Sequence, residues 1–499
     1  MTEVTKPNSL SLVTSMTIDG KAVAGRGATL TVPNPATGQT LGELSMADLG
    51  QAEEAIRAAR KAFDSGIWSK LSPAERSAGL HRLADALERR RSEMVATIVS
   101  EVGSPVPLAE MLQVDVPLRI LRWNADAAAK DRTLQLGQDF EVLPSSSYVG
   151  YRPVGVVTAI AAYNYPLHLV LLKIGAALAA GCTVVASPSM RTPFATLLLG
   201  EIAREADLPA GVLNIIVGDL EVNKLLTTHQ HVDKISFTGS AQVGSIIMAQ
   251  AAQSLKGVTL ELGGKSPSIV MPDTDFTDLV YPMHARYTRN AGQGCASPTR
   301  ILMHESRMDE FIDRSKDSWS QLKVGDPWNR ETVAGPLIRP EHLASVVGFV
   351  QSAKEDGGSI IAGGHTLDLG GGWYHEPTLI TGVSNSSHIA QEEIFGPVAI
   401  LLPYKTIDDA IQIANDSKYG LAAYVFGPDT SECLKVADQL RAGIVQINGG
   451  GSLRPDAPYG GFKQSGIGRE IGEDGIMDYL EASHIQFALS PSASVSKSE

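Results

Sequence analysis

Gly155-Val156-Val157-Thr158-Ala159-Ile160-Ala161-Ala162 is a nearly continuous apolar run with no inside-outside alternation, and it is the first of a series. Further short runs follow at Cys182 to Ala186, Val212 to Val217 and Lys234 to Phe237, separated by helical patterns such as Phe194 to Ala206. A strand apolar on both faces belongs to a sheet covered on both sides, and strand-helix-strand repetition makes that sheet parallel. Ligands on such sheets bind beyond the carboxyl ends of the strands, where this sequence places Asn164, Ser187, Gly218 and Gly239. The stretch therefore predicts a Rossmann-like nucleotide crevice, although no GxGxxG follows any of its strands.

Upstream, Ser72-Pro73-Ala74-Glu75 is a capping box with Pro at the first helical position. Leu80, Leu83, Leu87 and Met94 then continue at helical spacing, predicting one long amphipathic helix. Leu167 to Ala186 is the nearest approach to a membrane span, but His168 and Lys173 interrupt it and Gly181-Cys182-Thr183 breaks it into helix, turn and strand. Downstream, a second α/β stretch runs from about Leu262 to Glu470, with strands at Arg300 to Met303 and Ala399 to Pro403. Near the end Ile485, Phe487 and Leu489 alternate with Gln486 and Ala488, a strand with one buried face, and Asp139 to Tyr151 reads as another. The polar ends, 1–9 and 491–499, read as flexible tails.

With 499 residues the chain has room for two or three domains. A net charge of −13 disfavours nucleic acid and anionic membranes as partners, leaving small molecules and other copies of the chain. Cys182, Cys295 and Cys433 form no disulfide framework and no metal cluster, and the N-terminus lacks the apolar core of a secretion signal. A reducing, cytoplasmic setting without a metal is the expectation.

Chemistry concentrates at Gly292-Gln293-Gly294-Cys295-Ala296-Ser297, a thiol on a glycine-flanked loop. A lone cysteine is usually a small buried hydrophobe, so the surrounding motifs decide its reading. They are Ala162-Tyr163-Asn164-Tyr165-Pro166, Phe237-Thr238-Gly239-Ser240, Leu260-Glu261-Leu262-Gly263-Gly264-Lys265, Glu392-Glu393-Ile394-Phe395-Gly396-Pro397, and Pro458-Tyr459-Gly460-Gly461-Phe462 running on to Glu470. In order and spacing these resemble the NAD(P)-dependent aldehyde dehydrogenase superfamily over nearly the whole chain. The resemblance implies a fold with a Rossmann-like cofactor domain (10–130 and 153–261), an α/β catalytic domain (262–470) and a small β oligomerisation arm (131–152 and 471–490). It also implies a homodimer or homotetramer.

The resemblance assigns Cys295 as the nucleophile whose thiolate attacks an aldehyde. Asn164 and the Cys295 backbone N–H would hold the resulting oxyanion. Glu261, a carboxylate in apolar surroundings, would activate the water that hydrolyses the thioester. Lys173 and Glu470 match positions that relay protons from that base, or form a structural ion pair. For the cofactor, Gly239, Ser240 and the following helix N-terminus would meet the pyrophosphate, with Gly218 at a neighbouring strand end. Glu393 would accept the nicotinamide-ribose hydroxyls, and Phe395 would pack near the ring.

Two departures from the family pattern bear on the cofactor. Ala162-Tyr163-Asn164 replaces Pro-Trp-Asn, and Tyr163 keeps an aromatic donor near the phosphates. Ser187-Pro188-Ser189-Met190 replaces Lys-Pro-Ser-Glu and loses both groups that usually contact the adenosine ribose; NAD is expected, with NADP a weaker alternative. Matching positions line the substrate tunnel with Tyr165, Leu169, Leu172, Ala296, Leu453 and Tyr459. That set is apolar, with Arg454 the one nearby cation, and suits a medium-sized aliphatic, terpenoid or aromatic aldehyde. The alternatives are a CoA-acylating semialdehyde dehydrogenase of the same fold, against which Glu261 argues, and a catalytically silent homologue, against which the complete set of motifs argues.

Overall fold

The computed structural model describes residues 3–451 and 453–489. Leu213–Ile215, Thr183–Ser187, Val156–Ile160, Lys234–Thr238 and Gly257–Glu261 lie side by side in that order and run parallel. The hairpin Met16–Ile18 and Lys21–Val23 extends one edge, and Gly466–Ile467 pairs antiparallel with Leu260 and Glu261 at the other. From Val156–Ile160 the chain winds outward in one direction, then returns to build the other side from Lys234. That reversal opens a crevice at the carboxyl ends of these two strands. The strands are buried almost end to end, which is why they read as continuous apolar runs.

Helix Pro166–Ala180 is buried along its whole length and stops at Gly181, whose φ of 97° ends the helix before strand Thr183–Ser187. The Ser72 capping box forms, with the Glu75 N–H donating to the Ser72 hydroxyl at 3.3 Å and the Ser72 N–H to Glu75 Oε2 at 2.9 Å. The single long helix expected beyond it is instead two, Pro73–Arg89 and Arg91–Val102. Arg90 sits at the junction, its guanidinium held by Glu93, Glu201 and Glu205, and Met94 belongs to the second helix. Farther on, Ala109–Asp115 is π-helical, followed by helix Val116–Ala128. Pro117 in that helix has no N–H to donate, a local cause for the widened turn before it.

The second sheet has the order Ser359–Ala362, Thr378–Thr381, Val398–Tyr404, Arg300–His304, Pro267–Val270, Ala422–Phe426, Ile444–Ile447, parallel except at its first pair. Cys295 lies just ahead of Arg300–His304, and Glu261 ends the last parallel strand of the first sheet. The amino edge of one sheet thus meets the carboxyl edge of the other, with Cys295 and Glu261 between them.

Leu134–Asp139, Ser145–Pro153 and Leu480–Ala488 form a separate three-stranded antiparallel sheet. The strand expected from Asp139 to Tyr151 is corrected here, because Asp139 closes one strand and Ser145 opens the next. Residues 471–479 also leave the expected arm. Helix Gly472–Met477 packs on Pro166–Ala180, and Ile476 and Tyr479 are buried in the core of the first sheet. Within one protomer the arm's apolar face stays open, with Phe140 at 64% and Phe487 at 52% exposure. The end read as a tail at 491–499 lies outside the described residues. Residues 3–9 carry no helix or strand, yet Val4 is buried and its N–H donates to Glu110 at 2.9 Å, so that end is tied down. No described helix is long and apolar enough to cross a membrane.

Candidate active site

Asn290, Ala291 and Gly292 adopt successive positive φ angles of 55°, 53° and 72° immediately before the thiol loop. Such a run is unfavourable for an alanine and persists only where its surroundings enforce it. Ala291 is buried in the second-sheet core, and Asn290 Nδ2 donates to the Asn164 carbonyl at 3.0 Å. Gly292 has no room for a side chain, since a Cβ would lie 2.1 Å from the Gly396 backbone. Gln293 fastens the loop to its neighbours: its side-chain oxygen accepts from Tyr163 Oη at 3.2 Å and the Ile338 N–H at 3.0 Å, and its carbonyl accepts from Asn164 Nδ2 at 2.9 Å. On the other side Tyr424 donates to the Ala296 carbonyl at 2.7 Å. These contacts leave the Asn164 amide one further N–H and bring it beside the thiol loop.

The Cys295 thiol packs among Val116, Ile120, Leu172 and Leu421, with Tyr459 Oη 3.5 Å from Sγ. Glu261 lies beside the Cys295 thiol, 2% exposed, and apart from that thiol neither of its carboxyl oxygens has a hydrogen-bond partner among the described residues. Burial first, and the charge of Glu470 second, push the Glu261 carboxyl up to about 8, while Lys173 opposes the shift. Burial, reinforced by Glu261, also drives the Cys295 thiol well above its ordinary range. Cys295 therefore rests as the thiol, and the thiolate expected from the sequence has to be generated by losing a proton. Lys173 and Glu470 form an ion pair at 0% and 1% side-chain exposure, and Glu470 keeps one oxygen unpartnered. One ammonium thus serves two buried carboxyls, so the second favours its protonated form.

Backbone pairing brings Glu470 and Tyr459 to this point together: Tyr459 N–H donates to the Glu470 carbonyl at 2.6 Å, and Glu470 N–H returns the bond at 2.7 Å. Gly466 pairs with Glu261, and Ser465 Oγ donates to the Gly263 carbonyl at 2.6 Å, locking the segment after Glu261. The motif from Pro458 to Glu470 is thus a clamp across the edge of the first sheet.

At the crevice, helix Ala241–Ala252 begins beyond Lys234–Thr238 with Ser240 as its cap, accepting from the Val243 N–H at 3.3 Å. Ser187 Oγ and Thr238 Oγ1 are buried without partners at the ends of their strands, which fits a polar ligand group lying across them. Ser189 accepts from the Arg191 N–H at 3.3 Å, Met190 is 39% exposed, and Gly218 is buried against Val222. Glu393 Oε1 accepts from the Gly264 N–H at 3.0 Å, and a Cβ on Gly263 would stand 2.1 Å from Glu393 Oε2. Burial lifts the Glu393 carboxyl to about 7. Phe395, held at φ 55°, meets the Tyr163 ring edge-on at 5.9 Å. Arg191 and Arg339 both act on Tyr163, and Arg339 stands outside the motifs that carry the resemblance. These residues fit a dinucleotide, with donors at the helix end, a carboxylate for ribose hydroxyls and cations beside Tyr163.

A cavity of about 330 Å³ opens onto Cys295. Tyr165, Leu169, Leu172, Ala296, Leu453 and Tyr459 all line it, as do Met111 and Leu112 from the π-helical stretch. The expectation of a wall without basic groups is overturned, because Arg286 and Arg289 line the cavity as well. Arg454 does not: it is exposed and paired with Asp456 at 2.6 Å. Of the remaining thiols Cys182 and Cys433 are both buried, Cys433 on the inner face of Thr430–Ala437, a facing that the sequence alone does not define.

The profile of the Aldehyde dehydrogenase family matches residues 22–485. The chain belongs to the aldehyde dehydrogenase family. It is 40% identical over 475 residues, 94% of each chain, to DhaS of Bacillus subtilis (strain 168), a protein itself assigned only provisionally as an aldehyde dehydrogenase. Among solved structures it is similar to the indole-3-acetaldehyde dehydrogenase AldA of P. syringae, a Cys→Ala variant in complex with NAD+ and IAA. That likeness has 35% identity and a TM-score of 0.93, covering 96% of this chain and 98% of that one. It is equally similar to the betaine aldehyde dehydrogenase of Staphylococcus aureus in complex with NAD+, at 35% identity and a TM-score of 0.93, covering 98% of each.

Proposed function

We propose that this aldehyde dehydrogenase oxidises an aldehyde with an apolar body to its carboxylic acid, with NAD as acceptor. The observation that carries the reading is a half-buried Cys295 on the cavity wall, with the buried Glu261 carboxyl beside it and the buried Asn164 amide docked on its loop. An aldehyde holds its hydrogen tightly until a nucleophile makes it tetrahedral. Cys295 supplies the sulfur, and Glu261, at about 8, takes the thiol proton as the C–S bond forms. The adduct oxygen then meets the free N–H of Asn164 and the Cys295 backbone N–H; removing one such donor typically costs about 3 to 4 kcal/mol. When bound, the nicotinamide group supplies the hydride acceptor that leaves a thioester on Cys295. Glu261 first passes the thiol proton out by way of Glu470 and Lys173, then draws a proton from the water that attacks the thioester and returns it to the Cys295 sulfur as the acid leaves. Glu393 would orient the ribose beside Phe395, while Gly239, Ser240, Gly218, Ser187, Ser189 and Tyr163 would line the rest of the cofactor.

The open apolar face of the arm supports pairing with a second copy of the chain, giving a dimer or a tetramer. NADH release from a simple aromatic aldehyde, without coenzyme A, tests the reaction; a requirement for coenzyme A would replace water hydrolysis with acyl transfer, and no release at all would sink the reading.

A further inference from the structure

Walls that bind only an apolar aldehyde need no cation, yet two guanidinium groups line the same cavity as the Cys295 thiol. Arg286, from helix Val280–Thr288, lies over the Tyr424 ring at 4.4 Å and donates to the Gly449 carbonyl at 3.2 Å and to the Gln446 side chain. Its Nε is buried with no partner. Arg289, in the turn that follows, donates its backbone N–H to the Ala285 carbonyl, but its guanidinium makes no hydrogen bond or ion pair among the described residues. No Asp or Glu lines this cavity among the described residues. The charged group acting on Arg286 beyond its aromatic neighbour is Arg289, and like charges held together away from water repel. A protein of net charge −13 has carboxylates to spare, and none is placed here.

We infer that Arg286 and Arg289 receive an anionic group on the far end of the aldehyde, so that the preferred substrate is an aldehyde carrying a carboxylate beyond an apolar body. Guanidinium matches a carboxylate through paired N–H donors, and a pre-placed, uncompensated guanidinium gains most from such a partner. The apolar walls at Leu169, Leu172 and Leu453 fit a hydrocarbon or aromatic ring between the two polar ends. The inference rests on the dehydrogenase reading and adds the charge of its substrate.

The test compares kcat/KM for 4-carboxybenzaldehyde against 4-methylbenzaldehyde, and for 6-oxohexanoate against hexanal, in the wild type, Arg289→Met and Arg289→Lys. The wild type should favour the carboxylated member of at least one pair by roughly tenfold or more. Arg289→Met should cut that ratio about 10 to 100-fold, chiefly through KM, and Arg289→Lys should retain part of it. Should the methionine variant fail to fold, the wild-type ratio and its fall between roughly 0.05 and 0.5 M salt still decide the matter. Neutral aldehydes matching or beating their carboxylated partners in both pairs, or a ratio that Arg289→Met leaves in place, would overturn the inference alone. No NADH from any of the four would instead overturn the dehydrogenase reading beneath it.

Discussion

The two sides of Cys295 hold ionisable groups of opposite kind, neither set fully partnered. Toward the first sheet stand Glu261 and Glu470 with one ammonium between them, and toward the cavity stand Arg286 and Arg289 with no carboxylate. Both arrangements cost folding free energy, because a buried charge without a full partner forfeits its hydration. The protein manages them differently. On the acid side the charge is titrated away, since the Glu261 carboxyl keeps its proton up to about 8. A guanidinium cannot shed its proton in the same range, so the cation side is left half-buried and open to the cavity. On the proposed reading, one side moves a proton and the other waits for a partner.

Removing the thiol between the two sides should have the largest effect. Cys295→Ala should lower turnover by about 10³-fold or more while NAD binding, measured by calorimetry, stays near wild type. Cys182→Ala and Cys433→Ala, both in packed cores, should cost some stability but keep most activity. Comparable turnover by the Cys295 variant would break the comparison at its centre.

Glu261→Gln should cut steady-state turnover by about 10² to 10⁴-fold, and intact mass should reveal an acyl adduct on Cys295 if thioester formation survives better than hydrolysis. In the wild type the activity limb owed to Glu261 should rise through about pH 8, where its carboxyl loses its proton. Stability should change in the opposite direction. The folded carboxyl holds its proton to about 8 against an ordinary 4.5, so the stability this group contributes is complete below 4.5 and lost as pH rises through 8. Glu261→Gln has no such loss. Its Tm relative to wild type should therefore climb between pH 5 and 9, by an amount worth on the order of a few kcal/mol. A Tm difference that is flat with pH would show the carboxyl to be better compensated than its orphaned oxygens indicate.

The smallest expected effect lies in the crevice, away from both charged sides. Met190 stands where the sequence resemblance implies a carboxylate, and Arg191 follows it, so NADP should trail NAD by a modest factor. Met190→Glu should shift kcat/KM further toward NAD by about tenfold. Wild-type exclusion of NADP by more than about 10³-fold would mean that another group sets the preference.

Much of the site was legible because its parts are short and local. A glycine beside Cys295, a carboxylate between Leu260 and Leu262, and an amide before Pro166 each carry a chemical reason in the residue itself. The parallel strands were legible for a related reason, since burial on both faces writes itself into consecutive residues. What failed depended on facing. Cys433 sits on a helix whose inner side only the second-sheet core defines, and Met94 belongs to a separate helix because acids from distant segments gather on Arg90. The arm's second limb began too early because residues 471–479 pack on helix Pro166–Ala180, a contact spanning about three hundred positions.

By itself, the sequence determined the parallel sheet, the order of the motifs and the chemical types at the thiol, because each is set by neighbours along the chain. Only the tertiary structure decided which side chains share the cavity. Arg286 and Arg289 look in sequence like two surface cations on a helix end. Three left-handed residues, Asn290 to Gly292, follow them into the thiol loop, and the docking of that loop against Asn164 and Tyr424 sets what both arginines face. Backbone turns of that kind leave no period in the sequence, so the charge of the cavity could not be read before the fold was known.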